Sequence, residues 1–116
     1  MLEVNGITKH YGKHTALNDC GFTVRKHEIL GVCGENGSGK TTLFRCLMGL
    51  CAMDEGEIRY EGKLIPEGVR HHFGYLPEQR SLYTDLSIED TLIHYGRLRK
   101  MGYDQIDRRI RELYSI

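Results

Sequence analysis

The sequence predicts an α/β fold in which a small antiparallel sheet precedes a strand-loop-helix unit and a helical extension. Apolar residues recur at short spacing over 2–24, a compact apolar run fills 28–34, and helical spacing begins at 40 and again after 87. Short alternation marks half-buried strands, an unbroken apolar run marks a strand covered on both faces, and i, i+3, i+4 spacing marks helices.

Taken in order, the opening segment is broken at Asn5-Gly6, Tyr11-Gly12 and Asn18-Asp19, which predicts several short antiparallel strands. The run Glu28-Ile29-Leu30-Gly31-Val32-Cys33-Gly34 predicts a strand of a parallel sheet, buried on both faces. Leu43, Leu47 and Leu50, widened by Phe44 and Met48, predict a helix over 40–51 that packs back on that sheet. Asp54-Glu55-Gly56 ends it, Ile58 and Tyr60 read as a strand, and Glu61-Gly62 as a turn. Residues 73–76 read as one more short strand. Ser87 with a carboxylate three places on resembles a capping box, starting a helix that runs toward Met101 and is closed by Gly102. Ile106, Ile110 and Leu113 trace a second amphipathic helix with Asp104 as its cap.

Composition narrows the partners. Lys plus Arg equals Asp plus Glu at 16 each, so no global basic field recruits nucleic acid. The local excess of Arg97, Arg99, Lys100, Arg108, Arg109 and Arg111 reads as a solvated helix face. No apolar stretch approaches the roughly 20 residues that span a bilayer, and the start carries no secretory pattern, so the cytosol is the expected compartment. Cys20, Cys33, Cys46 and Cys51 have neither C-x-x-C nor zinc-finger spacing and read as reduced and buried. The adjacent pair His71-His72 would point to opposite faces of a strand and is not expected to share a metal.

The chemistry is concentrated in Gly34-Glu35-Asn36-Gly37-Ser38-Gly39-Lys40-Thr41, which satisfies G-x-x-x-x-G-K-[ST] after a predicted strand and at the opening of a predicted helix. Glycines at 34, 37 and 39 let successive backbone N–H groups turn inward around phosphate oxygens. The helix start adds unpaired N–H groups and the positive end of its dipole. Lys40 would bridge the β and γ phosphates of a nucleoside triphosphate, the Thr41 hydroxyl would bind Mg²⁺, and Thr42 would support an oxygen nearby. The fold class is thereby α/β with a P-loop NTPase core.

Many NTPases share this loop, and its flanks are more specific. The loop followed by Thr42, with an antiparallel sheet before it, resembles the N-terminal half of an ABC transporter ATP-binding domain. The resemblance covers nearly the whole chain. It implies ATP as ligand, with 1–27 the antiparallel β subdomain, 28–86 the P-loop core to the Q-loop, and 87–116 the start of the helical subdomain. Thr8-Lys9-His10-Tyr11-Gly12 is similar to the family's A-loop, which would place the Tyr11 ring on adenine. Asp54-Glu55-Gly56-Glu57-Ile58 resembles the segment that follows the P-loop helix. Phe73-Gly74-Tyr75-Leu76-Pro77-Glu78-Gln79 resembles the Q-loop, whose glutamine reaches the metal and the nucleophilic water. The usual glutamine position is Glu78 here, with Gln79 next, so either side chain is the candidate. Leu76 to Tyr83 is similar to export-type subunits that carry Glu at that place.

The same resemblance implies transmembrane permease subunits and a second ATP-binding subunit as partners, at the cytoplasmic face of a membrane. No Leu-Ser-Gly-Gly signature, apolar strand ending in Asp-Glu (Walker B) or switch histidine follows Tyr83. The complete protein is thus expected to hydrolyse ATP, and this chain alone to bind it poorly and turn over little. Two other readings are a non-catalytic nucleotide-binding module and a soluble ABC ATPase of translation or repair.

Overall fold

The computed structural model describes residues 1–66, 73–78 and 84–116. They form two compact units, Met1–Tyr75 and Leu76–Ile116. His71, His72 and Gln79 lie outside the described residues.

The first unit is built on an antiparallel sheet of order β2-β1-β3-β4, with β1 Leu2–Tyr11, β2 His14–Val24, β3 Glu55–Tyr60 and β4 Lys63–Leu64. The opening segment is one long hairpin rather than several short strands. Of its three expected breaks, only Gly12 is a turn: Tyr11 pairs with His14 across Gly12-Lys13, with Gly12 at φ 60°. Gly6 and Asp19, at φ 62° and 49°, are instead bulges at which the register shifts and the ladder continues. The Asp19 N–H donates to Thr8 Oγ1 at 3.1 Å, which satisfies a buried hydroxyl at the bulge. Across the sheet, β3 meets the same bulge through Gly56 at φ 99°, where a Cβ would stand 2.6 Å from the Gly6 carbonyl oxygen.

Helix α1 spans Lys40–Leu47, shorter than 40–51. Gly49, at φ 68°, ends it: its N–H donates to the Cys46 carbonyl at 3.0 Å and the Leu50 N–H to the Arg45 carbonyl at 2.8 Å, the paired bonds of a Schellman motif. Leu43 and Leu47 face the core as expected, whereas Leu50, past the reversal, is 66% exposed. The core joins them to Val4, Ile7, Leu17, Cys46 and Ile58.

Residues 28–34 form no ladder among the described residues, and Ile29 is 97% exposed. The expected buried strand is not present, because a parallel strand needs parallel neighbours and the described ones are all antiparallel. Only Val32 of this run packs against the core. Residues 73–76 likewise form no strand; Phe73 packs edge-on against Tyr60 with centroids 5.6 Å apart.

The second unit holds α2 Ile88–Leu98 and α3 Tyr103–Tyr114. Ser87 caps α2 as read from the sequence: its hydroxyl accepts from the Asp90 N–H at 3.0 Å and donates to the Asp90 carboxylate at 2.6 Å. The helix stops before Met101 because Lys100 turns to φ 59°, with Lys100 N–H on the Arg97 carbonyl and Met101 N–H on that of Gly96. Helix α3 takes Gly102 as its N-cap, so Asp104 is not the cap but lies in the first turn, where its charge complements the dipole. Gly96 lies against Ile106, which lets the two helices approach. No helix among the described residues is long and apolar enough to cross a membrane.

Candidate phosphate-binding site

The loop 34–39 leaves the extended run, turns through Gly37 at φ 84° and Gly39 at φ 93°, and enters α1 directly. Both angles are left-handed, a region that costs other residues steric strain. Gly34 answers a different need, since a Cβ there would lie 2.5 Å from Ser38 Oγ. Gly39 is closest of all, its Cβ position standing 2.3 Å from the Ala16 carbonyl oxygen of β2. The sheet therefore backs the loop and fixes where the helix begins.

No side chain caps the α1 N-terminus, and its first turn has no acidic residue. The first N–H groups and the positive dipole end are thus available to an anion. The Lys40 ammonium lies across the loop, donating to the carbonyls of Gly34 at 2.6 Å and Glu35 at 2.7 Å and to Ser38 Oγ at 3.3 Å. The Ser38 N–H closes the turn on the Glu35 carbonyl at 3.2 Å. Gly34, Glu35, Asn36, Gly37, Ser38, Gly39 and Lys40 are therefore one structure around a single cation. Thr41, exposed, and Thr42, half-buried, follow on the first turn of the helix. The cradle fits a polyphosphate, and a hydroxyl at Thr41 suits a hard, oxygen-loving cation such as Mg²⁺.

Tyr11 ends β1 and is 48% exposed. Its hydroxyl donates to Cys51 Sγ at 3.8 Å, and the Lys9 ammonium stands 5.5 Å from the ring centroid. Lys9 in turn meets Asp54 Oδ1 at 3.0 Å, while Asp54 Oδ2 accepts the His10 N–H at 2.5 Å. These contacts, His10 first and Lys9 second, hold the Asp54 carboxyl below the usual range, and Asp54 holds Lys9 above its own. Asp54, Lys9 and Cys51 support Tyr11, a role sequence reading did not assign. The only hint was the turn at 54–56. Glu78 is exposed and belongs to the second unit.

All four cysteines are free thiols. Burial holds for Cys46 alone, since Cys33 is exposed on the unladdered run and Cys20 and Cys51 are half-buried. The basic residues of the second unit face solvent as read, with Arg109 on Glu112 at 2.9 Å and Arg111 on Asp107 at 3.0 Å.

A glycine loop that delivers a lysine to an uncapped helix start defines a P-loop nucleotide-binding protein. Residues 17–115 match the ABC transporter family, and the chain belongs to it. It is 35% identical over 101 residues to the uncharacterized ABC transporter ATP-binding protein YhaQ of Bacillus subtilis, covering 87% of this chain and 34% of YhaQ. It is 32% identical to the ribose import ATP-binding protein RbsA 2 of Rhizobium etli, covering 93% of this chain and 23% of that one. A solved ATP-binding subunit of an ABC transporter superposes with a TM-score of 0.76 at 29% identity, covering 94% of this chain and 47% of that subunit. Import and export ATP-binding proteins both occur among the relatives. The chain spans about a third or less of the length of the two curated relatives described.

Proposed function

We propose that the complete protein is the ATP-hydrolysing subunit of an ABC transporter, paired with a second ATP-binding subunit and docked on transmembrane permease subunits at the cytoplasmic face of a membrane. The observation that carries this reading is the Lys40 ammonium, held by a glycine loop at an uncapped helix N-terminus free of acidic residues. Phosphate oxygens compete with the Gly34 and Glu35 carbonyls for that ammonium, while the N–H groups of 35–41 surround them. Thr41 would hold Mg²⁺, whose charge would offset that of the phosphates, and Thr42 would support a neighbouring oxygen. The Tyr11 ring stacks on the adenine, with Lys9 and Cys51 fixing its pose. Glu78 or Gln79 is the candidate that would supply an oxygen to the metal and orient the attacking water.

Direction of transport rests on the segment from Leu76 to Tyr83, which favours export. Equal numbers of acidic and basic residues favour a partner other than nucleic acid. The 116 residues alone bind nucleotide weakly and turn it over slowly, since no Leu-Ser-Gly-Gly signature and no apolar run ending in Asp-Glu follows Tyr83 in them. The test is a titration of the full-length protein with a non-hydrolysable ATP analogue and Mg²⁺. Lys40→Ala removes a charged hydrogen bond of about 1.5 to 3 kcal/mol and should weaken binding roughly ten- to hundredfold. Unchanged affinity would overturn the assignment.

A further inference from the structure

Cys46 takes no part in the chemistry above and Cys51 enters it only through the Tyr11 hydroxyl, yet the fold brings the two together. Cys46 lies in the last turn of α1 and is 1% exposed, while the half-buried Cys51 follows the Gly49 reversal. Their sulfurs are 3.2 Å apart. Five residues of separation would not by themselves produce this approach. It arises because Gly49 turns the chain back and the Leu50 and Cys51 N–H groups both reach the Arg45 carbonyl, at 2.8 and 3.4 Å. Residue 51 is thereby hung over residue 46.

We propose that Cys46 and Cys51 form a reversible dithiol/disulfide pair, a redox modification site that ties the end of the loop-bearing helix to the segment after it, with a low-molecular-weight disulfide as oxidant. A disulfide bond of about 2.05 Å requires the sulfurs to close by about 1.2 Å, a movement within reach of side-chain torsions. The two thiols are unequal in access, Cys46 being buried and Cys51 half-buried. Burial, and then the neighbouring Cys51, push the Cys46 thiol up to about 12, so Cys51 reacts first. The Cys51 thiolate attacks one sulfur of the small disulfide, forming a mixed disulfide and expelling one thiolate. That thiolate takes the Cys46 proton, and the Cys46 sulfur attacks Cys51 Sγ, expelling the second small thiol. Two protein thiols are oxidised, and one disulfide is reduced to two thiols.

Closure draws Cys51 Sγ away from the Tyr11 hydroxyl that donates to it. If Tyr11 stacks on a base, a consequence that rests on the nucleotide reading above, oxidation changes nucleotide affinity. The pair itself stands without that reading.

The experiment equilibrates the full-length protein with oxidised glutathione, then alkylates, digests with trypsin and weighs the peptide spanning 46–59, which contains both cysteines. The expected peptide has lost two hydrogens and takes up no alkyl group, and dithiothreitol restores two alkylatable thiols. Cys46→Ser should trap glutathione on Cys51, and Cys51→Ser should leave Cys46 reduced. A wild-type peptide that takes up two alkyl groups, or that keeps glutathione on Cys51, overturns the proposal. A disulfide that forms with nucleotide affinity unchanged removes the Tyr11 consequence and leaves the pair in place.

Discussion

Gly39→Ala offers a sharp test of how the sheet holds the loop, when set against Gly37→Ala. Both glycines have left-handed backbone, at φ 93° and 84°, so an alanine at either is strained by about 1 to 2 kcal/mol. They differ in what the new methyl meets. At position 37 nothing lies within 4 Å, whereas at 39 the methyl stands 2.3 Å from the Ala16 carbonyl oxygen and 3.1 Å from Leu17 Cδ2. The backbone of β2 or the start of α1 must move, which as overpacking costs about 1 to 3 kcal/mol more. The gain from a stiffer unfolded chain is common to both and cancels. Urea unfolding of the full-length protein without nucleotide should therefore separate the variants by about 1 to 3 kcal/mol, or about 1 M in midpoint for an m-value near 1 to 3 kcal/mol/M. Equal midpoints would refute the view that this glycine is needed for packing as well as for phosphate.

Other changes probe the supports. The Asp54 carboxyl is held low by the His10 N–H and Lys9, so its stabilising contribution is present above the ordinary aspartate range and is lost as pH falls through the depressed folded value. Asp54→Asn should thus lower the urea midpoint at neutral pH, with the gap to wild type closing in acid; a gap constant with pH would contradict this. Lys100 occupies the left-handed position that ends α2, so Lys100→Gly should raise stability by about 0.5 to 1 kcal/mol in the same assay, and a loss would count against the Schellman ending. At Gly96, an alanine Cβ would sit 2.7 Å from Ile106 Cγ1. Gly96→Ala should speed hydrogen exchange in α3 despite its better helix propensity, overpacking of about 1 to 3 kcal/mol outweighing about 1 kcal/mol of propensity.

The sequence was most legible where local chemistry decides. The glycine loop that opens a helix at Lys40, the Ser87 cap and the apolar faces Leu43/Leu47 and Ile106/Ile110 all follow from short-range pattern. Gly6 and Asp19 were misread because a turn and a bulge draw on the same residues; what separates them is whether the partner strand continues, a long-range fact. Gly49 and Lys100 ended helices earlier than apolar spacing suggested, since periodicity continues past a reversal that it does not register. The run 28–34 reads as a buried strand from composition alone, yet burial depends on neighbours and Ile29 has none over it. The surroundings of Tyr11 were invisible because Cys51 reaches its hydroxyl from 40 residues away and Asp54 reaches the neighbouring His10 from 44.

The bulges also set rules for chain length. Side chains alternate along a strand with a period of two, so one added residue turns everything beyond it to the other face. Val4 and Ile7 are three apart and both buried, and the residue at the Gly6 bulge is what makes that possible. Deleting it would send Val4 or Ile7 into water and move Gly56 off the carbonyl it fits. Among descendants of this sequence, insertions and deletions in the sheet should therefore collect at Gly12-Lys13 and Glu61-Gly62, where a change in number leaves every inward side chain inward.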